Sequence, residues 1–353
     1  MSELIFENGP EEKIRVPEAE EAKDGKPQGM EILNNPVHGM YIPTILLISG
    51  SLIMYMTTSY KRTLIFIPIA GFLLAYRFML AKNNRKVDLN LDHWVKFELD
   101  DQFIISKDTC IYTFKLNSEN QTLNCPPGHS LVIKAYENEE TGDILFELPK
   151  PNNKKEEKEE EQHDISKLKE IYRFYNPISS PKTKGTFDLL IKSKINGEFS
   201  KKIASSAYKG LQLNFKGFIG TYDHAKSVSD YSKLVLFAAG SGITPILQVI
   251  TKVLEDKEDV DIEIIYCNKT KKDILLKSEL DDIVNQTERI NVTYLTDDID
   301  GFLTTEVISS KVGNCDETRF LISGPEDFIK HAKSLLNETY MIQTGGNQQV
   351  FVF

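Results

Sequence analysis

From Lys233 to the C-terminus the chain alternates between strand-length apolar runs and runs of helical period. "KLVLFAAG", "DIEIIYCN", "INVTYLT", "TRFLISG" and the final "VFVF" are rich in branched and aromatic residues. Between them lie "ITPILQVITKVLE", "DILLKSELDDI", "TTEVISS" and "EDFIKHAKSLL", and the first of these puts Ile243, Ile246, Leu247, Ile250 and Leu254 on one helical face. Strands joined by helical crossovers run parallel, and a parallel sheet must be covered on both faces. Residues 229–353 are therefore expected to form an α/β domain with a parallel sheet. The turn "AAGSGITP" joins its first strand to its first helix. Gly240 and Gly242 let the backbone approach a ligand closely, the helix start offers free N–H groups to a phosphate, and Pro245 suits the first helical turn. This is not the G-x-G-x-x-G fingerprint, and such glycines often serve only the turn. Its place at the carboxyl end of a parallel strand is what marks it as a candidate site.

Upstream the period differs. From Trp94 to about Asp223 the chain reads as short strands: "VKFELD", "FIISKD", "CIYTFKL", "SLVIKAY", "YRFYNPI", "TFDLLIKS" and "LQLNFKG". Gly, Pro and Asn turns punctuate them, so a small antiparallel β-barrel is expected over residues 90–228. A charged insertion, about residues 138–168, contains "NNKKEEKEEEQH" and reads as a solvated loop. Within "YRFYNPI", strand alternation sends Arg173 and Tyr175 to one face and Phe174 to the other. A cation beside an aromatic ring suits a ligand that is both anionic and flat. Taken alone, Tyr175 fits an ordinary barrel position equally well.

The length of 353 residues allows two domains plus extras. A net charge of −10 argues against nucleic acid, which needs a basic face. Residues 1–40 hold half of that charge and read as a disordered acidic arm. The four cysteines are scattered without a C-x-x-C pair, which predicts reduced thiols and no metal site. Residues 41–60 carry no charge and residues 63–81 only Arg77, each close to the ~20 residues of a membrane-spanning helix. A transmembrane helical hairpin over 41–81 is expected, with a buried core hairpin as the lesser alternative. Arg77, Lys82, Arg85 and Lys86 follow the second run and would place the folded domains in the cytosol, although Lys61 and Arg62 weaken that bias.

Several motifs then occur in a telling order: "LDHWVKFEL", "RFYNPIS", "FDLLIKS", "NGEFS", "GSGITPILQ", "YCNKTKKDILLKSEL", "SGPEDF" and "VFVF". Over about residues 90–353 they resemble the NADH–cytochrome b5 reductase branch of the ferredoxin-reductase-like flavoproteins, in its membrane-anchored fungal type. The resemblance implies an FAD-binding barrel and a Rossmann-like NAD domain. Arg173 would bridge the FAD pyrophosphate, Tyr175 would lie against the isoalloxazine ring, and Lys192 would support the flavin or its phosphates. Pro177 and Ser179 complete that motif, while Gly197, Phe199 and Ser200 would form a phosphate turn. Thr244 would lie near the flavin between the domains, and Asp273 near the adenosine ribose, where a carboxylate favours NADH over NADPH. Lys269, Lys271 and Lys272 around it leave that preference open.

Some positions depart from the family pattern. Asn176 stands where relatives carry a Ser or Thr beside flavin N5, and Ser323 replaces the cysteine of C-G-P, ahead of Gly324 and Pro325. "DDIDG" is shorter than the usual loop, and Phe218 takes a common proline position. With Tyr175, Asn176, Thr244 and Ser323 around the reacting centre, the resemblance implies hydride transfer from NAD(P)H to FAD. Single electrons would then pass to a cytochrome b5-like haem protein in the same membrane, either endoplasmic reticulum or outer mitochondrial. The rival expectation is a degenerate membrane scaffold that keeps the fold without turnover.

Overall fold

The computed structural model describes residues 48–57, 68, 71, 72, 75, 89, 91–148, 167–193, 197–342 and 349–353. The expected acidic arm and the charged run at 152–163 lie outside these residues. Residues 48–57 are helical, with Ile53 and Met56 exposed. Most of the second apolar run also falls outside. Among the described residues no helix is long and apolar enough to cross a membrane, so the expected hairpin finds no support in the fold itself.

Seven antiparallel strands build the first sheet: β1 (Val95–Ser106), β2 (Thr109–Lys115), β3 (Ser130–Asn138), β4 (Ile144–Leu145), β5 (Leu168–Tyr175), β6 (Thr186–Lys192) and β7 (Gln212–Ile219). The order is β4-β3-β7-β1-β2-β6, with β5 on β3. The ring closes where Pro177 bridges Leu189, where Ile178 N–H donates to the Asp188 carbonyl at 2.9 Å, and where Asp188 N–H donates to Ser179 Oγ at 3.0 Å. Phe97, Phe114, Phe187 and Phe215 fill the interior with ring centroids 5.0–5.5 Å apart. Each such burial stabilises by roughly 1.5–3 kcal/mol. "VKFELD" and "FIISKD", expected as two strands, are one twelve-residue strand. Register shifts after Leu99 and Ile104 bend it, so bulges do the work of a turn.

Two helices in this half escaped the strand pattern: α1 (Glu198–Ser206) and α2 (His224–Asp230). Both are too short for periodicity to show. In α1 the buried Phe199 and Ile203 stand one turn apart, and α2 starts where Asp223 Oδ1 accepts from Lys226 N–H at 3.0 Å.

The second sheet has the order β10-β9-β8-β11-β12 and is parallel throughout. Its strands are β8 (Lys233–Ala239), β9 (Asp261–Asn268), β10 (Ile290–Thr296), β11 (Thr318–Ser323) and β12 (Val350–Val352). Its helices are α3 (Ile243–Asp256), α4 (Lys277–Gln286), α5 (Thr305–Val312) and α6 (Glu326–Tyr340). Alternate residues feed opposite faces: Leu234, Leu236 and Ile264 pack with α3 and α4, whereas Val235, Phe237 and Ile265 pack with α5 and α6. The helix expected over "DILLKSELDDI" starts only at Lys277. Asp273 is taken up in capping a separate 3₁₀ turn, and Leu276, at φ +54°, breaks the helical path. Barrel residues Ile105, Ile111, Ile178 and Leu190 join the apolar cluster of Ile243 and Ile246, so the two sheets share a buried seam.

Candidate active site

The pleat of β5 sets the first half of the site. Arg173 pairs with Ile133 and Tyr175 with Leu131 on β3. Tyr172 lies on the opposite face, stacked on Trp94 at 5.7 Å. Phe199, fully buried, holds the pair from below: the Arg173 guanidinium lies 5.7 Å from its ring and the Tyr175 ring 6.3 Å away at 27°. Phe199 is thus packed beneath the two residues and orients them. Arg173 Nη1 donates to the Tyr172 carbonyl at 2.9 Å, which fixes the direction of the fork.

The Phe199 helix begins at Gly197, where no side chain caps the first turn. Ser200 turns its hydroxyl back to the Gly197 carbonyl at 2.9 Å. The first-turn amides next to a guanidinium form a donor set that fits a pyrophosphate. The barrel residues thus fit FAD in the chemistry they offer. Pro177 and Ser179, expected beside the cofactor, take part in closing the barrel.

The second half is made of backbone. Gly240 takes a left-handed φ of +52° with open space where a Cβ would project. Gly242 is constrained by crowding: a Cβ there would sit 2.7 Å from the Gly324 nitrogen and would collide with the Ser323 carbonyl. "GSG" and "SGP", far apart in the chain, thus meet backbone to backbone. Thr244 donates to the Ser241 carbonyl at 3.1 Å, and Pro245 is buried in the first turn of α3. Tyr266, missed in the sequence, supports this turn by donating to the Gly240 carbonyl at 2.9 Å while accepting from Leu275 N–H at 3.3 Å. Its only sequence signal was an aromatic in the strand after the glycine turn. Pro325 is exposed at the start of α6, and Ser323 is buried at the end of β11.

Lys192 stands between the halves, 3.5 Å from Asp108 Oδ2 and 3.8 Å from Asp273 Oδ1. The other oxygen of Asp273 accepts from Thr270 N–H at 3.1 Å and Thr270 Oγ1 at 2.7 Å. Burial pushes the Asp108 carboxyl up, but Ser106, Thr109 and Lys192 together hold it below its ordinary value. Asn176 faces the other sheet, donating to the His129 carbonyl at 2.9 Å and to Gln248 Oε1 at 3.3 Å. The short "DDIDG" loop is a compact turn closed by Asp300, which accepts from Thr296 N–H at 2.9 Å.

These halves match known families. The oxidoreductase FAD-binding domain matches residues 96–144 and 162–224, and the oxidoreductase NAD-binding domain residues 236–334. The plasma membrane-associated coenzyme Q6 reductase PGA3 of Saccharomyces cerevisiae is 32% identical over 92% of this chain and 98% of its own length. NADH-cytochrome b5 reductase 1 of Dictyostelium discoideum is 29% identical over 69% of this chain and 78% of that protein. Among solved structures, the cytochrome b5 reductase domain of Ulva prolifera nitrate reductase superposes with a TM-score of 0.62 at 22% identity, covering 75% of this chain and 98% of that one. With a side-chain cradle on an antiparallel barrel and a glycine turn on a parallel sheet, the chain belongs to the NADH–cytochrome b5 reductase family and is an NAD(P)H-dependent FAD oxidoreductase.

Proposed function

We propose that this protein is a membrane-anchored reductase that takes a hydride from NADH and delivers single electrons to an acceptor in the same membrane. FAD held here would supply the chemistry of taking a hydride and one proton, with NADH leaving as NAD⁺, and of giving up two electrons one at a time with release of the two protons. The protein's own residues bind and orient. Arg173 and the first turn of the Phe199 helix would hold the pyrophosphate, and Tyr175 would lie along the flavin. Gly240, Gly242 and Thr244 admit the nicotinamide nucleotide beside Ser323 and Gly324. Asp273 gives the ribose a carboxylate, which favours NADH, with NADPH the alternative donor. The domains divide as residues 90–228 and 229–353.

The observation that carries this reading is the convergence of Arg173, Tyr175 and Phe199 on one side with the glycine turn on the other, joined through Lys192 and Asp273. Stopped-flow flavin reduction with NADH and NADPH tests it. Arg173→Ala removes charge-assisted contacts worth about 1.5–3 kcal/mol, so FAD affinity should fall roughly 10- to 100-fold. A variant that purifies with full flavin would show that Arg173 does not hold the cofactor.

The acceptor is proposed as a cytochrome b5-like haem protein. A second acceptor, a membrane quinone, is favoured by the similarity to a coenzyme Q6 reductase along nearly its whole length. NADH oxidation by the full-length protein in vesicles, with soluble cytochrome b5 or with a quinone added, separates them. Anchoring rests on the apolar runs at 41–60 and 63–81, and carbonate-resistant pelleting of the full chain would support it. The membrane is proposed as endoplasmic reticulum or outer mitochondrial membrane, with the folded domains cytosolic. The plasma membrane is a further candidate, because the similar coenzyme Q6 reductase PGA3 is plasma membrane-associated.

A further inference from the structure

The two sheets are held together by more than the apolar seam. Helix α3, which carries the glycine turn at its start, presents Gln248 and Glu255 two turns apart on one face. Glu255 meets Ser180 Oγ and lies 3.2 Å from Lys182 Nζ on the barrel segment after β5. Gln248 is buried, and its two ends are assigned by their partners. Its Oε1 accepts from Gly128 N–H at 2.9 Å, so its amide nitrogen faces the His129 carbonyl at 3.2 Å. Asn176 adds the crossing bonds, donating both to Gln248 Oε1 and to the same His129 carbonyl. Asn176 directly follows Tyr175, so this polar knot ties the flavin strand to the helix that bears the nucleotide turn. A serine or threonine hydroxyl is shorter than the asparagine amide and carries one donor where the amide carries two.

We propose that Asn176 is a positioning residue for hydride transfer: through Gln248 its amide pins the nucleotide helix to the flavin strand and sets the distance between donor and acceptor carbons and nitrogens. This rests on the oxidoreductase reading above and deepens it, because it assigns Asn176 to the junction between the sheets and removes it from the flavin ring. Small misplacements of reacting atoms cost large rate factors, so a pin made of a few hydrogen bonds is enough to matter.

The test uses full-length, FAD-loaded protein in detergent. Asn176→Ala removes the donors to the His129 carbonyl and Gln248 Oε1 without adding a charge beside the flavin. Flavin reduction by saturating NADH should slow about tenfold, equivalent to ~1.4 kcal/mol of barrier. Reduction by dithionite, the flavin spectrum and the flavin midpoint potential should not change. Gln248→Ala should slow the NADH reaction to a similar extent, and Asn176→Ala combined with Gln248→Ala should be no slower than Gln248→Ala alone. A shifted potential or spectrum would place Asn176 on the flavin and overturn the proposal, as would multiplicative effects or an unchanged rate. Should Asn176→Ala fail to load FAD, Gln248→Ala on the other sheet still decides, since an unchanged rate there refutes the pin. Unmodified protein that loads FAD but is not reduced by NADH would instead bring down the oxidoreductase reading itself.

Discussion

The flavin half and the nucleotide half of the site are built by opposite means. Around Arg173 and Tyr175 the cradle is made of side chains on a pleated strand, steadied by one buried ring from a neighbouring helix. Around Gly240 and Gly242 it is made of main chain, and side-chain volume is what must be kept out. A side-chain cradle fails when a group is removed, whereas a backbone cradle fails when one is added. The first kind also leaves a visible sequence pattern of unlike residues two apart. The second leaves only glycines, whose reason for being there lies elsewhere in the chain.

The largest expected effect is on the side-chain half. Phe199→Ala empties a fully buried position, and Phe→Ala in a core costs about 3–5 kcal/mol. Thermal unfolding should show that loss, and FAD should dissociate as Arg173 and Tyr175 lose their support. If stability falls but FAD affinity holds, Phe199 is only a core residue and the side-chain cradle is misdescribed.

Gly242→Ala should be smaller in stability and reversed in character. The added methyl meets the Ser323–Gly324 backbone, an overpacking cost of about 1–3 kcal/mol. NADH affinity should drop sharply while FAD remains bound. A variant with native NADH affinity would mean that the turn can move, and the contrast between the halves would weaken.

Smallest is the barrel-side support of the link, where Asp108 holds the Lys192 that reaches Asp273. A carboxyl depressed on folding, like Asp108, stabilises the fold above its unfolded pKa near 3.8 and loses that contribution as pH falls through its folded value. The partly exposed pairing with Lys192 is worth below about 1 kcal/mol. Asp108→Asn should therefore cost little at neutral pH and flatten the acid limb of the stability curve below about pH 4. An identical acid limb in both proteins would mean that Asp108 does not support Lys192.

The sequence alone determined what repeats locally. Alternation of strand and helix periods required the parallel sheet, and strand pleat required Arg173 and Tyr175 to share a face, because both depend on neighbours a few residues away. Short helices such as α1 were not legible, since two buried residues one turn apart make no period. Tertiary structure alone decided that Phe199 lies under Arg173, that Gly242 abuts Ser323, and that the Asn176 amide turns to Gln248. Each of those contacts joins residues far apart in the chain. Local periodicity carries no information about such pairs: the first two form as each sheet packs its own helices and turns, and only the docking of the two sheets brings Asn176 within hydrogen-bond reach of Gln248.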